Sequence, residues 1–139
     1  MGCAAIARKS VIPAIQALPD HFELVAVASR TLDKAQEFAN QFNCRAVEGY
    51  DQLLKEDIEA VYMPLPTGLH DTWIDLSLSA GKHVYGEKSI AGSYQSCQRM
   101  VTLAKQNKVA LMEGYMFQYH PQHQKVKELI AAGEIGEIR

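Results

Sequence analysis

Three groups of residues have types and spacings that could do chemistry. Gly2, Ala4 and Ala7 are small residues at the start of a helical pattern. A phosphate-binding turn needs glycine where the backbone bends sharply, then small residues that let a pyrophosphate approach the amides of a helix N-terminus. Taken alone, they are equally small residues at an N-terminus. Ser29 and Arg30 follow the apolar run Leu24–Ala28, and Lys34 comes one helical turn later. In a dinucleotide-binding unit the residue roughly twenty positions past the glycines reads the adenosine ribose, and an acid there selects its 2′-hydroxyl. Two cations and a hydroxyl suit a 2′-phosphate instead, which selects NADP; the plain alternative is a solvated arginine at a strand end. Glu87 and Lys88 end the run His83–Tyr85. A lysine near a positive ring and partly out of water is pushed toward its neutral form, so it can exchange a proton as hydride moves to or from a carbon–oxygen bond. Without the other two groups, Glu87-Lys88 is an ordinary ion pair at a loop start.

Two loops add to these. In Pro64-Leu65-Pro66-Thr67-Gly68-Leu69-His70 the prolines hold an extended turn with few free amides, shaped to lie beside a flat ring. His70 either contacts a cofactor or begins the next helix. The aromatic run Tyr115–Pro121, with His120, either lines a substrate pocket or packs against a partner domain.

The elements that must position these residues alternate between strand and helix. Buried strands are expected at Leu24–Ala28, Ala60–Met63, His83–Tyr85 and Val109–Met112, with a weaker one at Cys44–Val47. The first helix is expected to break or restart at Pro13. The next has Thr31 as its cap and Ala35, Phe38, Ala39 and Phe42 as its inner face. A short helix covers Tyr50–Lys55, another runs from about His70 to Ala80 and stops at Gly81, and Ser93 opens one reaching about Asn107. After Pro121 an amphipathic helix carries Val126, Leu129 and Ile130 inward to Gly133, and the chain then becomes extended. Such alternation predicts an α/β fold, a doubly wound, Rossmann-like parallel sheet with ligands at the carboxyl ends of its strands.

The totals agree with that class. The chain has 139 residues, 47% hydrophobic and 22% charged, with a formal net charge of −2. No basic surplus points to nucleic acid, and no apolar run is long enough to span a bilayer. Cys3, Cys44 and Cys97 are odd in number and form no C-x-x-C pair, so neither a disulfide framework nor a metal site is expected, and a reduced, cytoplasmic setting follows.

Together the segments GCAAIARKSVIPAI, ELVAVASRTLDKAQEFA, EAVYMPLPTGLH, GKHVYGEKSIAG and LMEGYMFQYHPQ resemble, in order and spacing, the Gfo/Idh/MocA oxidoreductases. The resemblance implies Lys88 as the catalytic lysine. It implies cofactor contacts at Gly2, Ala4, Ala5, Ile6, Ser29, Arg30, Leu65, Pro66, Leu69, His70 and Glu87, with NADP as cofactor and NAD as the alternative. The subgroup it points to acts on sugars, polyols or dihydrodiol-type alcohols. Ser89 replaces the proline of the family's E-K-P segment, and Gln118 stands where arginine is often found. The family's first strand and its carboxyl-terminal α/β domain have no counterpart here. Residues 1–120 are therefore expected to form an incomplete dinucleotide-binding domain, and 121–139 a helix and linker toward a substrate and oligomerisation domain. Little turnover is expected from the 139 residues by themselves, together with homo-oligomerisation or self-association through exposed strand edges. The other function class is a non-catalytic NADP-binding or interaction module.

Overall fold

Parallel pairing joins short strands whose connecting helices lie on both faces. A computed structural model describes residues 1–137 of the chain. Strand β1 (Ala26–Ser29) pairs in parallel with β2 (Arg45–Glu48), while β3 (Ala60–Met63), β4 (His83–Gly86) and β5 (Leu111–Glu113) form a second parallel sheet in the order β3-β4-β5. The observed strands differ by a residue or two from the apolar runs because pairing, not hydrophobicity, bounds them. Ala26 is the first residue with a partner, Arg45.

Among the described residues β1-β2 and β3-β4-β5 are separate sheets. Met1 and Gly2 lie in the gap. The Met1 nitrogen donates to the Tyr62 carbonyl at 2.7 Å, and the Gly2 amide donates to the Ala28 carbonyl at 2.8 Å. These two residues thus link β1 and β3 at the carboxyl ends of both strands.

Each face has its own core. On one, α3 (Tyr50–Leu53), α4 (His70–Ser79) and α5 (Tyr94–Asn107) bury Tyr50, Leu53, Ile74, Leu78, Met100 and Ala104 against Val61, Met63 and Val84. On the other, Ala7 and Ile12 of the first helix meet Val27 and the inner face of α2 (Leu32–Phe42), namely Phe38, Ala39 and Phe42. Removing such aliphatic and aromatic side chains from water is worth about 1.5–3 kcal/mol each, which makes these faces the principal source of stability.

Local signals explain most boundaries. The Ser93 hydroxyl accepts from the Ser96 amide at 3.1 Å, so the expected cap of α5 is present. Gly81, with φ +73°, ends α4 as its position suggested. The restart expected at Pro13 is present: Ala7–Val11 is π-helical and gives way to α1 (Ile12–Gln16), with Pro13 in its first turn. Two expectations need correction. Thr31 occupies the N-cap of α2 but its side chain makes no capping bond. Finally, α6 (Gln122–Ala131) buries none of its residues. Val126 and Leu129 are 49% and 39% exposed, and Ile130 is half-buried, because no described element lies opposite their face. The extended run expected at Ile138 and Arg139 lies outside the described residues.

Candidate functional site

The carboxyl ends of β1, β3 and β4 bring most of the expected residues to one edge. At the first, Gly2 has φ +91°, a conformation that L side chains rarely adopt. A Cβ there would sit 2.6 Å from Leu65 Cδ2, the mobile end of a side chain that would have to shift, so the positive φ is the stronger demand for glycine. Ala4 and Ile6 are half-buried beside it, Ala5 is exposed, and the Arg8 amide donates to the Ala4 carbonyl at 3.2 Å as the helix starts.

Next to this turn lies a cavity of about 290 Å³ lined by Cys3, Ser29, Arg30, Thr31, Lys34 and Tyr50. Ser29 is buried at the end of β1 and its carbonyl accepts the Gly49 amide at 2.8 Å, which locks β1 to the turn before Tyr50. Arg30 and Lys34 are exposed and, among the described residues, neither forms an ion pair. Their charges reach the cavity: Arg30 works against the burial that pushes the Tyr50 hydroxyl up, and Lys34 against the burial that pushes the Cys3 thiol up. Cys3, Thr31 and Tyr50 were not among the residues expected from sequence as ligand contacts. Tyr50 could have been found as the residue that follows β2 and the Gly49 turn, near a strand end as Ser29 and Arg30 are.

At the β3 and β4 ends, Pro64 and Leu65 are buried while Pro66 and Leu69 are exposed. Glu87 is held by Tyr62, whose hydroxyl donates to Glu87 Oε1 at 2.7 Å. Tyr62 stacks on Tyr85 at 5.4 Å, and its hydroxyl is pushed far up by burial and then by the Glu87 carboxylate, so it remains a donor. With Glu87 occupied in this way, it forms no ion pair with Lys88, so the plain alternative of a Glu87–Lys88 pair is not seen. Lys88 is exposed, and its peptide with Ser89 is cis.

Three of the expected residues, His70, Tyr115 and His120, make contacts of another kind. His70 is fully buried at the start of α4, with both ring nitrogens facing backbone carbonyls, so its ring offers no free polar atom to a ligand. Tyr115 and His120 are exposed in a segment that packs on itself: Tyr115 lies edge-on to Phe117 at 5.8 Å, and His120 Nδ1 accepts the Gln122 amide at 3.2 Å. No hydrogen bond among the described residues joins either to Lys88.

Residues 1–115 match the family described as "Oxidoreductase family, NAD-binding Rossmann fold", that of the Gfo/Idh/MocA proteins. The chain belongs to this family. It is 44% identical to a dTDP-3,4-didehydro-2,6-dideoxy-alpha-D-glucose 3-reductase from Actinomadura kijaniata, over 100% of this chain and 42% of that protein. It is 36% identical to D-xylose 1-dehydrogenase (NADP(+)) 2 from Haloferax volcanii, over 99% and 42% respectively. Among solved structures it is similar to KijD10, a 3-ketoreductase from Actinomadura kijaniata in complex with NADP and TDP-benzene, with a TM-score of 0.95, 45% identity, and coverage of 99% of this chain and 42% of that one. The chain therefore spans less than half the length of these relatives. Among the described residues no helix is long and apolar enough to cross a membrane.

Proposed function

We propose that these residues form the NADP-binding part of an oxidoreductase acting on the carbon–oxygen bond of a sugar, sugar nucleotide, polyol or similar alcohol. The observation that carries this reading is the cavity beyond the Gly2 turn, where Arg30 and Lys34 stand free of ion pairs beside the buried end of β1. A 2′-phosphate brings two negative charges and several acceptor oxygens, and a guanidinium meets it with short, charge-assisted hydrogen bonds. The Gly2 turn and the small residues after it leave room for a pyrophosphate at the start of the first helix. Leu65, Pro66 and Leu69 give an apolar wall suited to a flat ring.

NADP, when bound, supplies hydride acceptance or donation. Lys88, exposed at the end of β4, gives or takes the proton at the substrate oxygen. Glu87, fixed by Tyr62, contributes a negative charge at the same edge. Tyr115 and His120 belong to the substrate side of this proposal, on the segment 121–139 and the aromatic loop before it that lead toward a further domain. Turnover by the 139 residues is expected to be small because nothing among the described residues encloses a substrate at this edge. The strand edges of β1 and β3, linked only through Met1 and Gly2 among the described residues, support self-association, which gel filtration would read.

Titration of NADP⁺ and NAD⁺ into the chain tests the reading. Replacing Arg30 by Ala removes charge-assisted bonds worth about 1.5–3 kcal/mol, so NADP⁺ affinity is expected to fall roughly 10- to 100-fold while NAD⁺ affinity changes little. Equal weakening of both cofactors, or preference for NAD⁺ in the unaltered chain, would sink it.

A further inference from the structure

The Lys88 ammonium donates no hydrogen bond to a neighbour among the described residues, so its place depends on what holds Ser89 and Ile90. Two side chains from other elements do so. His70, 0% exposed, has Nε2 2.8 Å from the Leu65 carbonyl oxygen, and Nδ1 3.0 Å and 3.1 Å from those of Ser89 and Ile90. All three partners are acceptors, so a ring N–H on either side donates to one of the two loops. From the far side Glu113, at the end of β5, accepts the Ile90 amide on Oε1 at 2.8 Å. The Ile90 side chain is buried against the backbone of β4, where a Cβ added at Gly86 would lie 3.1 Å from it.

The Ser89–Ile90 backbone is thus held at one amide by Glu113 from β5, and its two carbonyls abut the His70 ring from α4, which wedges between the two loops and donates its N–H to one of them. Serine at position 89 does not restrict its own φ as proline would, so the constraint comes from outside the loop. His70 also reaches the Leu65 carbonyl, and Leu65 is the residue packed over Gly2. One buried ring therefore sets the distance between the Gly2–Leu65 contact and the loop that carries Lys88.

We infer that His70 and Glu113 are positioning residues for Lys88, acting through the backbone of Ser89 and Ile90 and touching neither cofactor nor substrate. The inference rests on the reading of Lys88 given under Proposed function. It separates two tasks at one edge: Gly2, Arg30 and Lys34 hold the cofactor, whereas His70 and Glu113 aim the proton carrier.

The test uses the 139-residue chain with NADP⁺ as probe. Three quantities are measured: the Kd for NADP⁺ by calorimetry, the acetylation rate of Lys88 by mass spectrometry with and without saturating NADP⁺, and amide exchange at Ile90. In the unaltered chain NADP⁺ is expected to slow Lys88 acetylation about tenfold, as placement beside the ring requires. His70→Ala and Glu113→Ala keep Kd within about threefold but lose most of that protection, since a displacement of about 1 Å suffices to lose alignment. His70→Gln, which retains an N–H donor, recovers part of it; Glu113→Gln, whose amide oxygen still accepts from Ile90, behaves as the unaltered chain. These two conservative variants, with Glu113→Ala, decide the matter if His70→Ala does not fold. Protection retained in both alanine variants overturns the inference, as does a Kd that rises in step with lost protection, the mark of a merely structural role. If the unaltered chain binds no NADP⁺, the functional reading fails, and Ile90 amide exchange decides the clamp separately. Exchange faster by about tenfold in His70→Ala and Glu113→Ala supports it, and unchanged exchange overturns it.

Discussion

At the strand-end edge, residues far apart in sequence meet: Gly2 under Leu65, Tyr50 beside Arg30 and Cys3, and Tyr62 on Glu87. Over the segment from Tyr115 to Ala131 the contacts are local instead, Tyr115 with Phe117, Phe117 with His123, and His120 with Gln122. Both regions contain aromatic rings, histidine and polar groups. Only in the first are they fixed by backbone that belongs to different elements. The second leaves Met116, Phe117, Tyr119, Val126 and Leu129 exposed. Composition alone therefore does not make a site; convergence of strand ends does.

The sharpest way to break the contrast is at Gly2. Replacing it by Val forces a β-branched residue into φ +91° and drives a Cβ into Leu65. Strained backbone of this kind costs about 1–3 kcal/mol before the clash is counted, so a marked drop in Tm and loss of measurable NADP⁺ binding are expected. Adding Leu65→Ala relieves the clash but not the dihedral strain, so it restores stability only in part. Full recovery in the double variant would show that packing alone demands the glycine.

In the other region, Phe117→Ser and Tyr119→Ser are expected to change unfolding free energy by no more than about 0.5 kcal/mol, because both rings are already largely in water. The same changes should reduce binding of a hydrophobic dye. A large loss of stability would mean that this segment is packed as firmly as the strand-end edge, and the distinction drawn between them would fall.

The smallest effect concerns the support beneath the edge. Asp71 follows His70 on α4; the Ser96 hydroxyl donates to it, and Arg99 of α5 reaches it at 3.2 Å. The Ser96 hydroxyl chiefly holds its carboxyl below the usual range; burial opposes it, and Arg99 adds to the lowering. A depressed carboxyl contributes stability above its unfolded value, about 3.9, and that contribution is lost as pH falls through the lower folded value. Asp71→Asn should therefore flatten the loss of stability in acid by a small amount, measured as Tm between about pH 5 and 2, since the group is solvent-exposed. An unchanged acid profile would remove Asp71 from the account of how α4 is seated.

Much of the edge was legible before any fold was known. Leu24–Ala28, Ala60–Met63 and His83–Tyr85 are short apolar runs between helical patterns, and each locates a strand end to within a residue or two. Ser29-Arg30, Leu65-Pro66 and Glu87-Lys88 follow those runs directly, so a rule about strand ends finds them without three-dimensional information. Tyr50, Tyr62 and Glu113 were harder to place because their roles depend on neighbours in other elements. Tyr62 looks like a strand residue until β4 puts Glu87 beside it.

What the amino-acid sequence determined by itself was the order of elements, the inner face of α2, the Ser93 cap and the residues standing at each strand end. Those follow from periodicity, caps and turn residues, which act over a few positions. Only the tertiary structure decided that Gly2 lies under Leu65, that His70 is enclosed between two loops, and that Val126 and Leu129 face outward. Those outcomes turn on which strands pair, in which register, and on which helix has a surface opposite it; no local pattern carries that information, because the partners lie tens of residues away.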